Sequence, residues 1–524
     1  MPRTMTRSLG AVIVLALALL LAACGSSGSD DDASKSSAAS QSAGKTGGES
    51  AGPDQAITVA SGAEAESLDP QSKDDDGMMI VLWRVYEGLY DINVEGEVTP
   101  LLADGMPTQV DDTTWEVKLR SGVTFSDGQP FDADAAVKSI ERIISPKQAT
   151  GFSETATIKG AEKVDDQTIR ITTKAPDALL PNRLVVIKML PPKLPDGFPQ
   201  TAVGTGPYLL KSYSAGGNAE LEVNPNYWGE TPQVTKVTIR NIPDEGTRLQ
   251  ALTTGEVDIV PGLSPDQADK APNFVASDKA VYVGYIRPNS IKGVTSDLRV
   301  RQAISHAIDR DSLTKSIFSG NAVPSACQPT PVHVGDTSLK ELPYDPEKAK
   351  QLIEEAGATG KTVDLSWTTG VFPQDRLIGQ AIAQQIEATG LKVNLQLKGY
   401  KAFLEDIYAH GPDAPPLVFS ESDNNLASPA SKVGLLYASD GPVSAIQDPE
   451  LDRLIKEAGA KADPEESKAA YNAVLQRGCE QLALITVYER KELYGLSDRV
   501  EFSPNPVAYS KIYYDQVKVV KPSN

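Results

Sequence analysis

Histidine and cysteine are both scarce, with three of each in 524 residues. His306, His333 and His410 are too scattered to assemble a transition-metal site at any recognised spacing. His306 falls inside a helical pattern that begins after Asp297, and reads as structural. No His-Glu-x-x-His, Cys-x-x-Cys or Gly-x-Ser-x-Gly string occurs. The signatures of zinc hydrolases, dithiol redox proteins and serine hydrolases are therefore missing. The nearest approach to a phosphate loop is Gly357-Ala358-Thr359-Gly360-Lys361-Thr362. It has two residues between its glycines where a phosphate-cradling loop has four, and it follows a helix rather than a strand. It reads as a helix stop and a turn. Basic charge is also in deficit, leaving a formal net charge of −20. That balance argues against nucleic acid and against direct docking on anionic lipid head groups. Most of these charges should be solvated, and although 70 acidic residues always allow a carboxylate pair, nothing singles one out. No cofactor is implied. The apolar run Ala11 to Ala23 is too short to span a bilayer, which takes about 20 residues.

That run carries information of another kind. Arg3 and Arg7 precede it, and small residues close it in Leu21-Ala22-Ala23-Cys24. This is the charged, apolar and small-residue sequence of a secretory signal. With a cysteine at the cleavage point it resembles a bacterial lipobox. The resemblance implies that the Cys24 thiol receives a diacylglyceryl group and that residues 1–23 are removed, taking the charge from −20 to −22. The alternative is an ordinary signal, or a short anchor helix with an incidental cysteine. Residues 24–54 lack aromatic and branched aliphatic side chains and should form a disordered tether with a reach of about 30 Å. Cys327 and Cys479 then remain as an even pair in an oxidising compartment. A bridge between them would close a loop of roughly 150 residues, worth up to about 5 kcal/mol; otherwise they are two buried thiols.

The remaining chain exceeds what one core usually supports, so two or more lobes are expected. Trp115, Val117 and Leu119 alternate with polar residues, as do Val363, Leu365 and Trp367, and Leu391, Val393, Leu395 and Leu397. Asp132, Asp244 and Asp297 can each cap a helix, with Gly255 stopping the second. Asp345-Pro346-Glu347 and Asp448-Pro449-Glu450 open two similar segments ending in Ala-Gly. Capping physics alone favours that arrangement, so it reads as convergence rather than duplication. The pattern predicts an α/β protein with mixed sheets.

Six strings then occur in order. They are Leu68-Asp69-Pro70 with Val85-Tyr86-Glu87-Gly88-Leu89; Trp115 to Phe131; Gly204-Thr205-Gly206-Pro207-Tyr208; Asn224-Pro225-Asn226-Tyr227-Trp228-Gly229; Gly255-Glu256-Val257-Asp258-Ile259; and Asp297 to Ile304. Together they resemble the extracytoplasmic solute-binding proteins of peptide/nickel-type ABC transporters, family 5, from about Ile57 to the C-terminus. The resemblance implies two lobes that close like a flytrap, with an extra domain inserted in the first. The first lobe would comprise 55–90, 203–285 and 505–524, the inserted domain 91–202 and the second lobe 286–504. Hinge crossings would fall near Tyr285–Asn289 and Ser503–Val507. In the peptide-binding branch a Trp-x-x-Asp string supplies a carboxylate for the peptide's ammonium. Here Asp423 matches the acid, Ser420 stands where the Trp is expected, and Asn424 follows. Trp367, Thr369 and Phe372 occupy a second contact region. Asp423 could equally cap a turn, and Trp367 could equally be core.

The implied function is a lipid-anchored binder on the outer face of the cell membrane. It would capture a small polar solute, a peptide or peptide-like compound, and deliver it to ABC permease subunits. It would be monomeric, with no catalytic residues, no metal and no nucleic-acid partner. A signalling lipoprotein on the same fold and a secreted hydrolase are the competing classes.

Overall fold

The computed structural model describes residues 55–72, 76–93, 95–148, 155–331, 333–424, 426–461, 463–504 and 512–520. Cys24, the signal run and the linker lie outside them. Two mixed sheets dominate. The first has seven strands in the order Asn273–Ala276, Leu493–Leu496, Ile259–Pro261, Ala56–Ser61, Lys236–Asn241, Asn218–Val223, Tyr208–Tyr213. The second has six, in the order Ala322–Pro324, Ile485–Arg490, Tyr282–Pro288, Leu417–Ser422, Thr362–Thr368, Lys392–Lys398. Thr362–Thr368 and Lys392–Lys398 are parallel and are joined through the helix Asp375–Glu387, the crossover that parallel pairing requires. A four-stranded antiparallel sheet lies wholly within 91–202, where an inserted domain was expected; it carries Thr114–Lys118 and packs on the helix Ala133–Ile143.

The chain passes between the two main sheets twice. It leaves the first after Ala276 and enters the second at Tyr282; it returns between Arg490 and Leu493. Both crossings precede the expected positions. Tyr285 to Pro288 lies inside the strand Tyr282–Pro288, which is buried along its whole length and bonded to a strand on each side, so the passage itself falls before it. Leu493–Leu496 was expected in the second lobe but pairs with Ile259–Pro261 and Asn273–Ala276 in the first sheet. The crossings are tied to each other: the Ser277 amide donates to the Glu492 carbonyl at 2.8 Å, and the Glu492 amide to Ser277 Oγ at 3.1 Å.

Local signals explain the helices. Asp132, Asp244, Asp297, Asp345 and Asp448 each accept a backbone N–H of the first turn. The helices Pro346–Glu355 and Pro449–Gly459 pack on different partners, Leu298–Ala307 and Pro464–Glu480. Their similar openings therefore serve unrelated sites. The six strings form framework contacts. The Glu87 carboxylate accepts the Tyr227 hydroxyl and the Trp228 indole N–H, each at 2.9 Å. A Cβ on Gly204 would lie 2.0 Å from the Val85 carbonyl oxygen, and one on Gly206 would lie 2.4 Å from that of Arg84. Both positions require glycine for close backbone approach. Cys327 is joined to Cys479 of the helix Pro464–Glu480.

Candidate ligand cleft

A cleft of about 520 Å³ opens between the two main sheets. One wall is built at the end of Ala56–Ser61, by Ser61, Gly62 and Ala63, and by Arg248 near the start of the helix Glu245–Thr253. The other follows Thr362–Thr368, in Gly370 to Pro373, and continues on the helix Tyr400–Tyr408 and at Ser420, Glu421 and Asp423. Ligands in α/β sheets gather outside the carboxyl ends of strands, and both walls are of that kind. The helix Tyr400–Tyr408 buries only Phe403. Its Tyr400, Leu404 and Ile407 line the cleft instead, giving that wall an apolar face.

The floor lies at the crossings, where Tyr282, Arg490 and Glu492 line the cleft. Glu421 accepts Arg490 Nε at 2.9 Å, Arg490 Nη2 at 2.6 Å and the Tyr488 hydroxyl at 2.6 Å. Arg490 Nη1 reaches Glu492 at 2.9 Å, and the guanidinium stands 4.0 Å from the Tyr282 ring centre. Burial pushes the Glu492 carboxyl up to about 7. Burial also pulls Arg490 down, but the Glu421 and Glu492 carboxylates outweigh it and raise the group well above its ordinary value. Arg490 is therefore fully charged and already neutralised.

The expected site residues separate. Ser420, Asp423 and Phe372 line the cleft. Asp423 carries a cation, Lys432 Nζ at 2.7 Å. Asn424 is buried, and its Oδ1 accepts the Ser428 amide at 3.1 Å; it shapes the turn. Thr369 is exposed and lies outside the lining. Trp367 is a correction: it has no exposed surface and stacks face to face on Phe419, centres 3.8 Å apart, in the second lobe's core. Strand alternation turns its side chain inward, away from the cleft. Arg248, Tyr282, Glu421, Arg490 and Glu492 went unmarked by sequence reasoning. Glu421 adjoins the Ser420 string, whereas Arg490 meets it across 69 residues, a distance at which no local pattern signals. A second cavity, of about 420 Å³, is lined from Ile308 to Glu489 by second-lobe residues alone, so closure of the lobes would not enclose it. Among the described residues no group of three or more His, Cys, Asp or Glu could hold a metal ion, and no helix is long and apolar enough to cross a membrane.

The family model "Bacterial extracellular solute-binding proteins, family 5 Middle" matches residues 97–431. The glutathione-binding protein GsiB of Pectobacterium atrosepticum is 31% identical over 355 residues, covering 64% of this chain and 68% of that one. GsiB of Salmonella paratyphi A is 29% identical over 352 residues, 65% of this chain and 69% of that one. Among solved structures, NikA from Brucella suis in complex with Fe(III)-EDTA superposes with a TM-score of 0.80 at 22% identity, covering 88% of this chain and 99% of that one. DppA from Helicobacter pylori in complex with the peptide STSA gives 0.74 at 22% identity, over 89% and 98%.

Proposed function

The chain belongs to family 5 of the bacterial extracellular solute-binding proteins, and from that premise we propose that its cleft captures a short peptide or peptide-like solute for an ABC permease. The observation that carries this reading is the placement of the cleft: both sheets supply walls, and the two tied crossings form the floor. A ligand touching both walls is contacted fully only in the closed state, so it drives closure by its differential affinity. The lobes, on this reading, are the two sheets with their helices, exchanging chain at Ser277–Val281 and Lys491–Glu492. The GsiB relatives are glutathione-binding and the H. pylori neighbour holds STSA; both support a short peptide. Ser420, Asp423 and Phe372 are the proposed contacts from the second lobe. The protein acts by binding rather than turnover, outside the cytoplasm, as a monomer held to the membrane through lipidated Cys24.

Thermal unfolding with glutathione, tri-alanine, a tetrapeptide and a nickel chelate tests this. At 100 times Kd a ligand of the folded state adds about 2.7 kcal/mol, so a peptide of the panel should raise the unfolding midpoint. A panel in which only the chelate, or nothing, does so would overturn the peptide reading.

A further inference from the structure

Arg248 is the cleft's unmatched cation. Its side chain sits on the first turn of the helix Glu245–Thr253, only 7% exposed, and lines the cleft beside Gly62. Nη1 donates to the carbonyls of Ile242 at 2.9 Å and Pro243 at 2.8 Å. Nε is buried with no acceptor. The two nearby acids are engaged elsewhere: Asp244 accepts from Thr247, and Glu245 accepts the Ser264 amide and hydroxyl. Burial pulls the Arg248 guanidinium down, and Glu245 and Asp244 offset this only in part.

The other cations of the site are matched. Arg490 lies between Glu421 and Glu492, and Lys432 holds Asp423. Among the described residues, Arg248 makes no ion pair. A buried charge without a counter-charge is costly. Backbone carbonyls take Nη1 and Nε is buried, so Nη2 is the nitrogen left to donate into the cleft that Arg248 lines. A charged guanidinium N–H donates to a carboxylate more strongly than a neutral donor does.

Resting on the peptide reading above, we propose that Arg248 is the anion seat of the cleft and takes a carboxylate of the bound solute. The ligand class is then an acid: a peptide with a free C-terminus or an acidic side chain, rather than an amide, an ester or a cationic chelate. The seat lies on the first lobe, opposite Asp423 and Lys432, so an acidic solute that reaches both walls bridges the lobes.

Calorimetric titration of the purified chain with tri-alanine, tri-alanine amide and glutathione tests the assignment. The acid should bind at least tenfold more tightly than the amide. Arg248→Met should bring the two affinities together, chiefly by weakening the acid, and Arg248→Lys should keep part of the preference. A purely structural Arg248 would instead shift acid and amide alike. Equal binding of acid and amide by the wild-type protein overturns the seat while leaving the peptide reading intact, and needs no variant to fold. If none of the three binds, the peptide reading falls and this assignment with it.

Discussion

Glu87 shows how one side chain can hold distant strings together. It has no exposed surface, and it receives hydrogen bonds from Tyr227 and Trp228, 140 and 141 residues further on. Burial pushes its carboxyl up, while the Trp228 hydrogen bond, Arg84 and the other donors pull it back. Glu87→Ala would leave two half-buried donors, Tyr227 and Trp228, without their acceptor, each costing up to about 1–3 kcal/mol. Urea unfolding should show a loss of about 2–5 kcal/mol with the affinity for cleft ligands unchanged. A loss below 1 kcal/mol would mean that Tyr227 and Trp228 find other acceptors. The strings that meet at Glu87 were readable in the chain, because each is a local turn or strand entry. Their meeting point was not, since it depends on a contact between segments that share no local pattern. Trp367 fails in the same way. Its alternation with Leu365 correctly signalled a strand, but which face looks into the core follows from Phe419, on a strand 52 residues away in the chain.

Helices were more legible than strands. Asp at the cap and Pro in the first turn act within four residues, so Asp345 and Asp448 could be read directly. The strand Lys392–Lys398 shows the opposite limit: its apolar alternation is clear, yet Leu397 is 37% exposed because the strand is at the sheet's edge. Edge or centre is decided by neighbours, not by period. The helix Pro464–Glu480 gains a further constraint from the Cys327–Cys479 bridge, which spans 152 residues. In the chain-entropy model, cross-linking a loop of that length stabilises by at most about 5 kcal/mol. The double variant Cys327→Ser, Cys479→Ser should therefore unfold at lower urea, by a few kcal/mol, with tri-alanine affinity unchanged. An unchanged midpoint with and without reductant would show that the bridge contributes nothing in solution.

At the scale of the whole molecule, the two passages between the main sheets fall earlier in the chain than expected, because such a passage has no period of its own. Glu492 is the residue that joins the crossing to the cleft: its backbone ties Ser277, and its side chain pairs with Arg490. Its carboxyl is raised from 4.5 to about 7 by burial, against the pull of Arg490. Between those two values the folded protein keeps a proton that the unfolded chain has released. Stability must then fall as pH rises through this window, level off above about 7, and show no contribution from Glu492 below 4.5. At 1.36 kcal/mol per unit the total is on the order of 3 kcal/mol. Glu492→Gln removes the proton exchange while keeping a hydrogen-bonding side chain. Urea midpoints measured from pH 4.5 to 8 should fall less steeply in the variant, which should gain on the wild type toward pH 8 and match it near 4.5. The same slope in both proteins would place the titration elsewhere. It would also mean that Arg490 keeps Glu492 ionised across the range, making the floor of the cleft a permanent ion triad rather than one that gains its second carboxylate near neutral pH.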